Sequence, residues 1–438
     1  DSSFYFTIDQ FQIDSLDKST LPKFEFSGTF YSSNIFMPLE AKLVTMPDNS
    51  FGFDLDIGEN GISAYNNKIN FFEKLKVDST GLYAEGNFTY NQLRVFSNKI
   101  RFFPDSLSGF SEKAFLYNGF SKSNEFYYPD MEFSNSEYSL YNFTEDYIYL
   151  RYDSSSTTSK NLNSTFTAFN NTMEVKGDVW MSESDLRSEG VLLYNNSTFL
   201  SDEFKFNSDS VISNLATINL NHYNYDLSFL KSDGMSLVLN IKDQMVRIKA
   251  EYPDKKNYLL PYYKTFASSL NADWDIINEK LSLNNENRID FSSSFYPYSS
   301  SFSKSSIKIN SAEIDLKEKL LNLNGVDELQ VSDAFVLPRD GKIEVGENFI
   351  LSKLYDSEII LDTINEYHRF INASIDIKSK DQFIGSGIYE YVNFNNDTFN
   401  IPFSEFKLVE ILDENEQKIK TSFSSGIVDK ESPILMEP

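Results

Sequence analysis

The chain contains no cysteine, which removes disulfides, thiolate metal sites and cysteine nucleophiles from consideration. Compartment does not follow from that absence, because a reducing cytosol and a disulfide-poor periplasm both accommodate it. Histidine is nearly absent too: His222 in "NHYNYD" and His368 in "EYHRF" lie far apart, each in strand-like sequence. A Ser/His/Asp triad would need one of them beside a nucleophile on a sharp turn, and no G-x-S-x-G occurs. H-E-x-x-H, the P-loop and G-x-G-x-x-G are missing as well. Positive charge is scarce, with 39 Lys and Arg against 65 Asp and Glu, a net charge of −26. Phosphate backbones and anionic membrane surfaces repel such a chain, so nucleic acid is excluded as a partner. No apolar run approaches the roughly 20 residues that span a bilayer. No signal peptide is visible, since Asp1 opens directly into the alternating "SSFYFTIDQFQI"; the expectation is a mature product or an internal portion of something longer.

What is present is aromatic and alternating. Hydrophobic residues make up 40% of the 438, too many for a disordered chain, and 40 Phe and 26 Tyr fit a pleated surface. Period-2 patterning recurs in "FYFTI", "KFEFSGTF", "SIKIN" and "ASIDIK". "WDIINEKLSL" (Trp274–Leu283) reads as a hairpin turning at Asn278–Lys280 rather than a helix. The fold class is therefore all-β. Its repetitive antiparallel strands are expected to build an elongated stack of β-sandwich, jelly-roll-like or folded-sheet units.

Two internal repeats underlie that expectation. "GNFTYNQLRVFSNKIRFFPDS" (Gly86–Ser106) returns without a gap 104 residues later as "GVLLYNNSTFLSDEFKFNSDS" (Gly190–Ser210), keeping Gly86/Gly190, Tyr90/Tyr194, Asn91/Asn195, Ser97/Ser201 and Phe102/Phe206. A third, looser copy opens at Gly387 with Tyr391 four residues on. At a spacing of 40, "ADWDIINEKLSL" from Ala272 matches "AEIDLKEKLLNL" from Ala312: Ala, an acid at Asp275 or Asp315, a tight turn, then Leu-x-Leu. A strand–turn–strand piece cannot bury its apolar face alone, so copies are expected to bury one another. The three glycines are read as relieving crowding at a turn or bulge. The polar stretches 153–164, read as a linker, and 291–306, read as an ordered loop, set three expected blocks. These are a β domain at 1–155, a repeat-related β domain at 156–300, and a β domain with the short strand repeats at 301–438.

Candidate sites are sparse. "DLDIGENG" (Asp54–Gly61) resembles a calcium loop but carries Glu59 where the sixth position requires glycine, so an acidic hairpin turn is preferred. Tyr127, Tyr128 and Tyr296 could stack on sugar rings if exposed together. Paired carboxylates for glycoside hydrolysis cannot be picked out from so many acids. N-x-S/T triplets at Asn87, Asn142, Asn163, Asn170, Asn196, Asn372 and Asn396 are read as coincidence in an Asn-, Ser- and Thr-rich chain. Asp-Ser/Thr-apolar triplets at Asp14, Asp105, Asp209 and Asp362 resemble the O-glycosylation sites of exported Bacteroidota proteins. No catalytic residue, metal ligand or cofactor site is assigned.

"FSGTFYSSNIFMPLEAKLVTMPDNSFGF", "GLYAEGNFTY…RFFPDS" and "VSDAFVLPRDGKIEV…LYDSEIILDTINEYHRFINASIDIKSKDQFIGSGIYEYV" resemble a large, uncharacterised family of Bacteroidota cell-envelope proteins. Its members are much longer, which implies that this chain is an internal portion, and the resemblance supplies no site residues. The A-x-x-D-x-x-x-x-x-L-x-L units further resemble the strands of periplasmic lipopolysaccharide-transport (OstA-like) β domains. That likeness implies a folded-over sheet with a greasy inner groove for acyl chains and an acidic face in water. The leading expectation is a non-catalytic, extracytoplasmic scaffold, periplasmic or associated with the outer membrane, that binds an envelope protein or lipid along an extended surface or groove. The alternatives are a polysaccharide-binding surface module and an accessory subunit of an outer-membrane secretion or assembly machine, with a glycoside hydrolase last.

Overall fold

Among the described residues, thirty-six strands and two single-turn 3₁₀ segments make up the structure, a computed structural model. It describes residues 4–12, 23–141, 146–153, 164–251, 256–285, 293–303, 305–361, 364, 366, 368–393, 395–412 and 418–428, with residue 141 and residues 408–424 considered for backbone only. The all-β expectation holds: the sheets are antiparallel and many-stranded. The chain divides into two compact units, 1–213 and 214–438. Sheet pairing runs past both expected block boundaries, near 155 and 300, as the strand partners below show.

In the first unit β1 (Tyr5–Ile8), β2 (Glu25–Tyr31) and β3 (Leu39–Thr45) form a ladder that β3 hands to β4 (Phe51–Ala64). A meander follows through β5 (Ile69–Asp78), β6 (Gly81–Tyr90), β7 (Leu93–Phe102) and β8 (Ser106–Leu116). After the short pair β9 (Gly119–Phe120) and β10 (Tyr127–Tyr128), the long β11 (Met131–Tyr141) runs along all of β8. There the sheet forks. The second half of β11 pairs with β12 (Tyr147–Arg151) and its first half with β13 (Thr165–Ala168), on the far side of residue 155. β13 leads to β14 (Met173–Lys176) and β12 to β15 (Val179–Ser182), and both branches rejoin on β16 (Leu186–Tyr194), followed by β17 (Ser197–Phe206).

The long strands bend, so the two halves of this sheet face one another. One cross-strand row runs Phe71, Phe88, Val95, Ala114, Phe133, Phe166 and on to Phe199; a second runs Leu75, Ala84, Ile100, Gly109, Tyr138, Leu150 and Val179. Phe88 meets Tyr138 across the fold with ring centroids 5.4 Å apart, and Phe71 meets Phe102 at 6.0 Å. Serines line the crease, where small side chains fit and hydroxyls satisfy carbonyls that the bend frees: Ser97 donates to Phe110 O at 2.7 Å and Ser111 to Phe96 O at 2.8 Å.

The 104-residue repeat is now explained. β7 and β8 recur at that offset as β17 and β18 (Ser210–Leu220), and the closing turn bond recurs too, Phe103 N–H to Ser106 O and Asn207 N–H to Ser210 O, both 2.8 Å. Register shifts fall between Ala84 and Gly86, between Ser188 and Gly190, and between Gly385 and Gly387, so all three repeat glycines sit at β-bulges. Gly190 has φ 100°, and a Cβ there would lie 2.4 Å from Lys176 O.

In the second unit β19 (Leu230–Asn240) pairs with β20 (Met245–Lys249) and touches β21 (Tyr258–Leu260), which pairs with β22 (Thr265–Ser268). From there hairpins are dealt alternately to two ladders. β23 (Asn271–Asp275) and β24 (Lys280–Asn284) join β20; β25 (Ser293–Pro297) and β26 (Ile307–Ile309) join β22; β27 (Ser311–Asp315) and β28 (Leu320–Asn324) join β24. The stretch expected to be a loop at 291–306 thus contributes β25, because Ser293, Phe295 and Pro297 alternate inward. Residue 300 lies within the β25–β26 hairpin, while residues 154–163 of the expected linker fall outside the described set. A further ladder runs from β29 (Leu329–Val331) and β30 (Ala334–Leu337) to β32 (Leu354–Leu361), β33 (His368–Ser379), β34 (Gln382–Val392), β35 (Thr398–Leu412) and β36 (Lys418–Val428), while β31 (Lys342–Val345) closes on β28.

The 40-residue echo is strand-for-strand: β23 and β24 become β27 and β28 at that offset. The turn of the first hairpin is Ile276–Glu279, close to the expected Asn278–Lys280. The conserved spacing of acid and turn has a local cause. Asp275 Oδ1 accepts the Asn278 N–H at 2.9 Å, and Asp315 Oδ1 accepts those of Lys317 and Glu318 at 3.0 and 2.9 Å. Successive turns also join, with Ile276 N–H on Gln244 O and Leu316 N–H on Glu279 O.

Candidate functional site

The residues singled out from sequence are scattered over the fold. His222 is buried against Tyr223 and Tyr225, its Nδ1 accepting the Asn224 N–H and its Nε2 3.8 Å from Glu279. Burial pushes the imidazole pKa below its ordinary value, with Glu279 opposing the shift. Tyr223 donates to Glu279, and the ring sits against the two tyrosines with no serine hydroxyl bonded to it among the described residues. His368 is exposed on β33 and within 2.8 Å of the Tyr389 hydroxyl.

Asp54–Gly61 is neither a calcium loop nor a hairpin turn. It lies inside β4, where Gly58 and Gly61 take φ 67° and 66° at bulges and Asp56 accepts the Gly58 N–H. Among the described residues no group of three or more His, Cys, Asp or Glu is arranged to hold a metal. Tyr128 is buried and donates to Ser182 O, which removes it from sugar stacking. Tyr127 is partly exposed and packs edge-on against Phe120. Tyr296, in the second unit, lies under Lys256.

Of the N-x-S/T asparagines, Asn87 is buried, giving its amide to Glu73 and accepting from Arg94 Nε, each at 2.9 Å. Asn170, Asn196, Asn372 and Asn396 are exposed; Asn142 and Asn163 lie outside the described residues. Among the Asp-Ser/Thr triplets, Asp105 and Asp209 occupy the equivalent turns before β8 and β18, and Asp14 and Asp362 lie outside the described residues.

At the positions expected to line a greasy groove, the side chains are buried. Trp274, Leu281, Leu283, Ile314, Leu321 and Leu323 are 0–1% exposed, and the facing ladder supplies Tyr258, Ala267 and Phe295 with no exposure. Phe229 and Trp274 close the core at 5.3 Å. These side chains pack against one another between the two ladders.

One chemically varied surface is not foreseen from the sequence. On the outer face of the first unit, cross-strand partners Tyr149, Trp180 and Arg187 stand in a row, the two rings 5.2 Å apart. The β16 bulge at Ser188–Gly190 opens a hollow of about 260 Å³ beside them, lined by Tyr147, Trp180, Glu189, Asp202 and Glu203. A second hollow of about 420 Å³ shares Tyr147 and Arg187 and adds Asp146, Glu183 and Asp185. Tyr149 donates to Asp178; burial first, and that carboxylate second, hold its phenol well above the usual range. The "YIY" alternation and the lone tryptophan of "VWM" were the available signals. Which outward residues share a row depends on register, and register is not written in either segment.

No family model matches the chain, and no curated protein or solved structure matches it.

Proposed function

We propose that this chain is a non-catalytic, extracytoplasmic β scaffold that holds an extended surface in fixed register for an envelope protein partner. One observation carries the reading: the 40-residue copies keep their inward positions apolar, with Trp274 exchanged for Ile314, while three of the five outward strand positions from Ala272 to Asn284 change and only the turn aspartate and the terminal asparagine stay. Ala272/Ala312, Leu281/Leu321 and Leu283/Leu323 fill the same core rows, while Asp273/Glu313, Ser282/Asn322 and Lys280/Leu320 differ on the outer face. Repetition that preserves packing and frees the surface is what a scaffold needs. A lipid carrier is disfavoured by the burial of the expected groove positions. The resemblance to envelope proteins supports the location.

The test is photo-crosslinking from outward positions such as Asn322 and Ser282 in native envelopes, alongside a turnover screen on envelope glycans and lipids. A discrete protein adduct is expected. Specific turnover, or adducts confined to lipid, would overturn the reading.

A further inference from the structure

The paired hollows beside Trp180 combine half-buried aromatic rings with an excess of negative charge. Six carboxylates border them: Glu189, Asp202 and Glu203 on one side, Asp146, Glu183 and Asp185 on the other. The facing cations are already engaged. Arg187 is held by Asp185 at 2.6 Å and Glu203 at 3.5 Å, Lys68 by Asp146 Oδ2 at 3.1 Å, and Lys205 by Glu203 at 3.7 Å. Arg151, across the sheet, pairs with Glu137. Among the described residues, Asp146 Oδ1 is buried with no hydrogen-bond partner. Trp180 keeps part of its indole in solvent, in contrast to Trp274, which is 1% exposed in the core.

We propose that this surface docks a lysine- or arginine-bearing segment of a partner protein, one basic side chain lying over the Trp180 indole with its charge among the carboxylates. The proposal rests on the scaffold reading and gives its partner a chemistry. A cation is attracted both to the face of an indole and to surrounding carboxylates, and the attraction grows as the site loses water. Charge complementarity selects the occupant: a neutral glycan would leave the carboxylates unanswered, and an anionic polymer would be repelled. Two adjoining hollows that share Tyr147 and Arg187 favour a chain with basic groups at intervals over a single free amine.

The test titrates hexalysine into the intact protein at low salt, read by calorimetry and by Trp180 fluorescence. Binding that weakens with salt is expected. Trp180→Gln should weaken it roughly 2- to 30-fold, the span of cation–π energies converted to affinity. Glu189→Gln with Asp202→Asn, both at exposed positions, should weaken it several-fold. The control pair Asp273→Asn with Glu313→Gln removes the same charge from the second unit and should leave affinity nearly unchanged. An equal loss in that control, an unchanged Trp180→Gln protein, spermidine binding as tightly as the peptide, or a neutral oligosaccharide competing with it would each overturn the proposal. So would absence of binding. None of these outcomes bears on the cross-linking and turnover results, so the scaffold reading and this one fail separately.

Discussion

Single residues here are explained more by backbone demands than by chemistry. Asp275 and Asp315 recur because a carboxylate oxygen must take the free N–H groups of a four-residue turn, and Gly190 because a bulge at φ 100° excludes a Cβ. His222 offers a test of burial. Its folded-state pKa lies below the reference 6.5 because the ring is desolvated, so between the two values the unfolded chain binds more protons than the folded one. The ring therefore costs no stability well above pH 6.5, and stability is lost as pH falls from there through the lower folded-state pKa. Urea unfolding at pH 8 and pH 5.5 should show a larger drop for the native chain than for His222→Gln. Equal drops would mean that Glu279 offsets desolvation.

At the scale of elements, the period-2 pattern and both repeats are legible in the sequence, and strand limits coincide with the repeat offsets. Alternation alone could not show that Asp54–Gly61 continues one bulged strand, since two glycines and three acids look the same in a turn and in a kinked ladder. Nor could it reveal that Phe291–Ser306 hides a strand, because serine alternating with aromatics reads as polar. The Trp180 surface was invisible for a related reason: Tyr149, Trp180 and Arg187 come from three strands whose alignment is fixed by hydrogen bonds. Equivalent positions in the 40-residue copies should respond alike. Leu281→Ala and Leu321→Ala each empty a fully buried site in the same core row and should each cost about 2–5 kcal/mol by chemical denaturation. A difference larger than about 2 kcal/mol would show that the copies do not share a packing environment.

For the molecule as a whole, charge is the dominant global property. A net charge of −26 on 438 residues stores self-repulsion that the folded state concentrates. Raising sodium chloride from 10 to 150 mM shortens the screening length from about 30 Å to about 8 Å, so the thermal midpoint should rise. A midpoint that stays flat or falls would mean that ion pairs such as Lys280–Glu313, 2.7 Å apart, outweigh the net repulsion. The same salt titration weakens hexalysine binding to the acidic Trp180 surface, so stability and affinity should move in opposite directions.

The fork between β11 and β16 has an implication for how errors are avoided during assembly. Each of these strands is gripped by two independent short ladders, one on each half of its length. A slip by two residues in β12 would keep every side chain on its proper face, yet β15 would then reach β16 out of step with β14. The two branches thus act as mutual checks, each holding a vote on the other's alignment. A sequence built from look-alike segments has particular use for such proofreading, because its strands have many nearly correct neighbours to choose from.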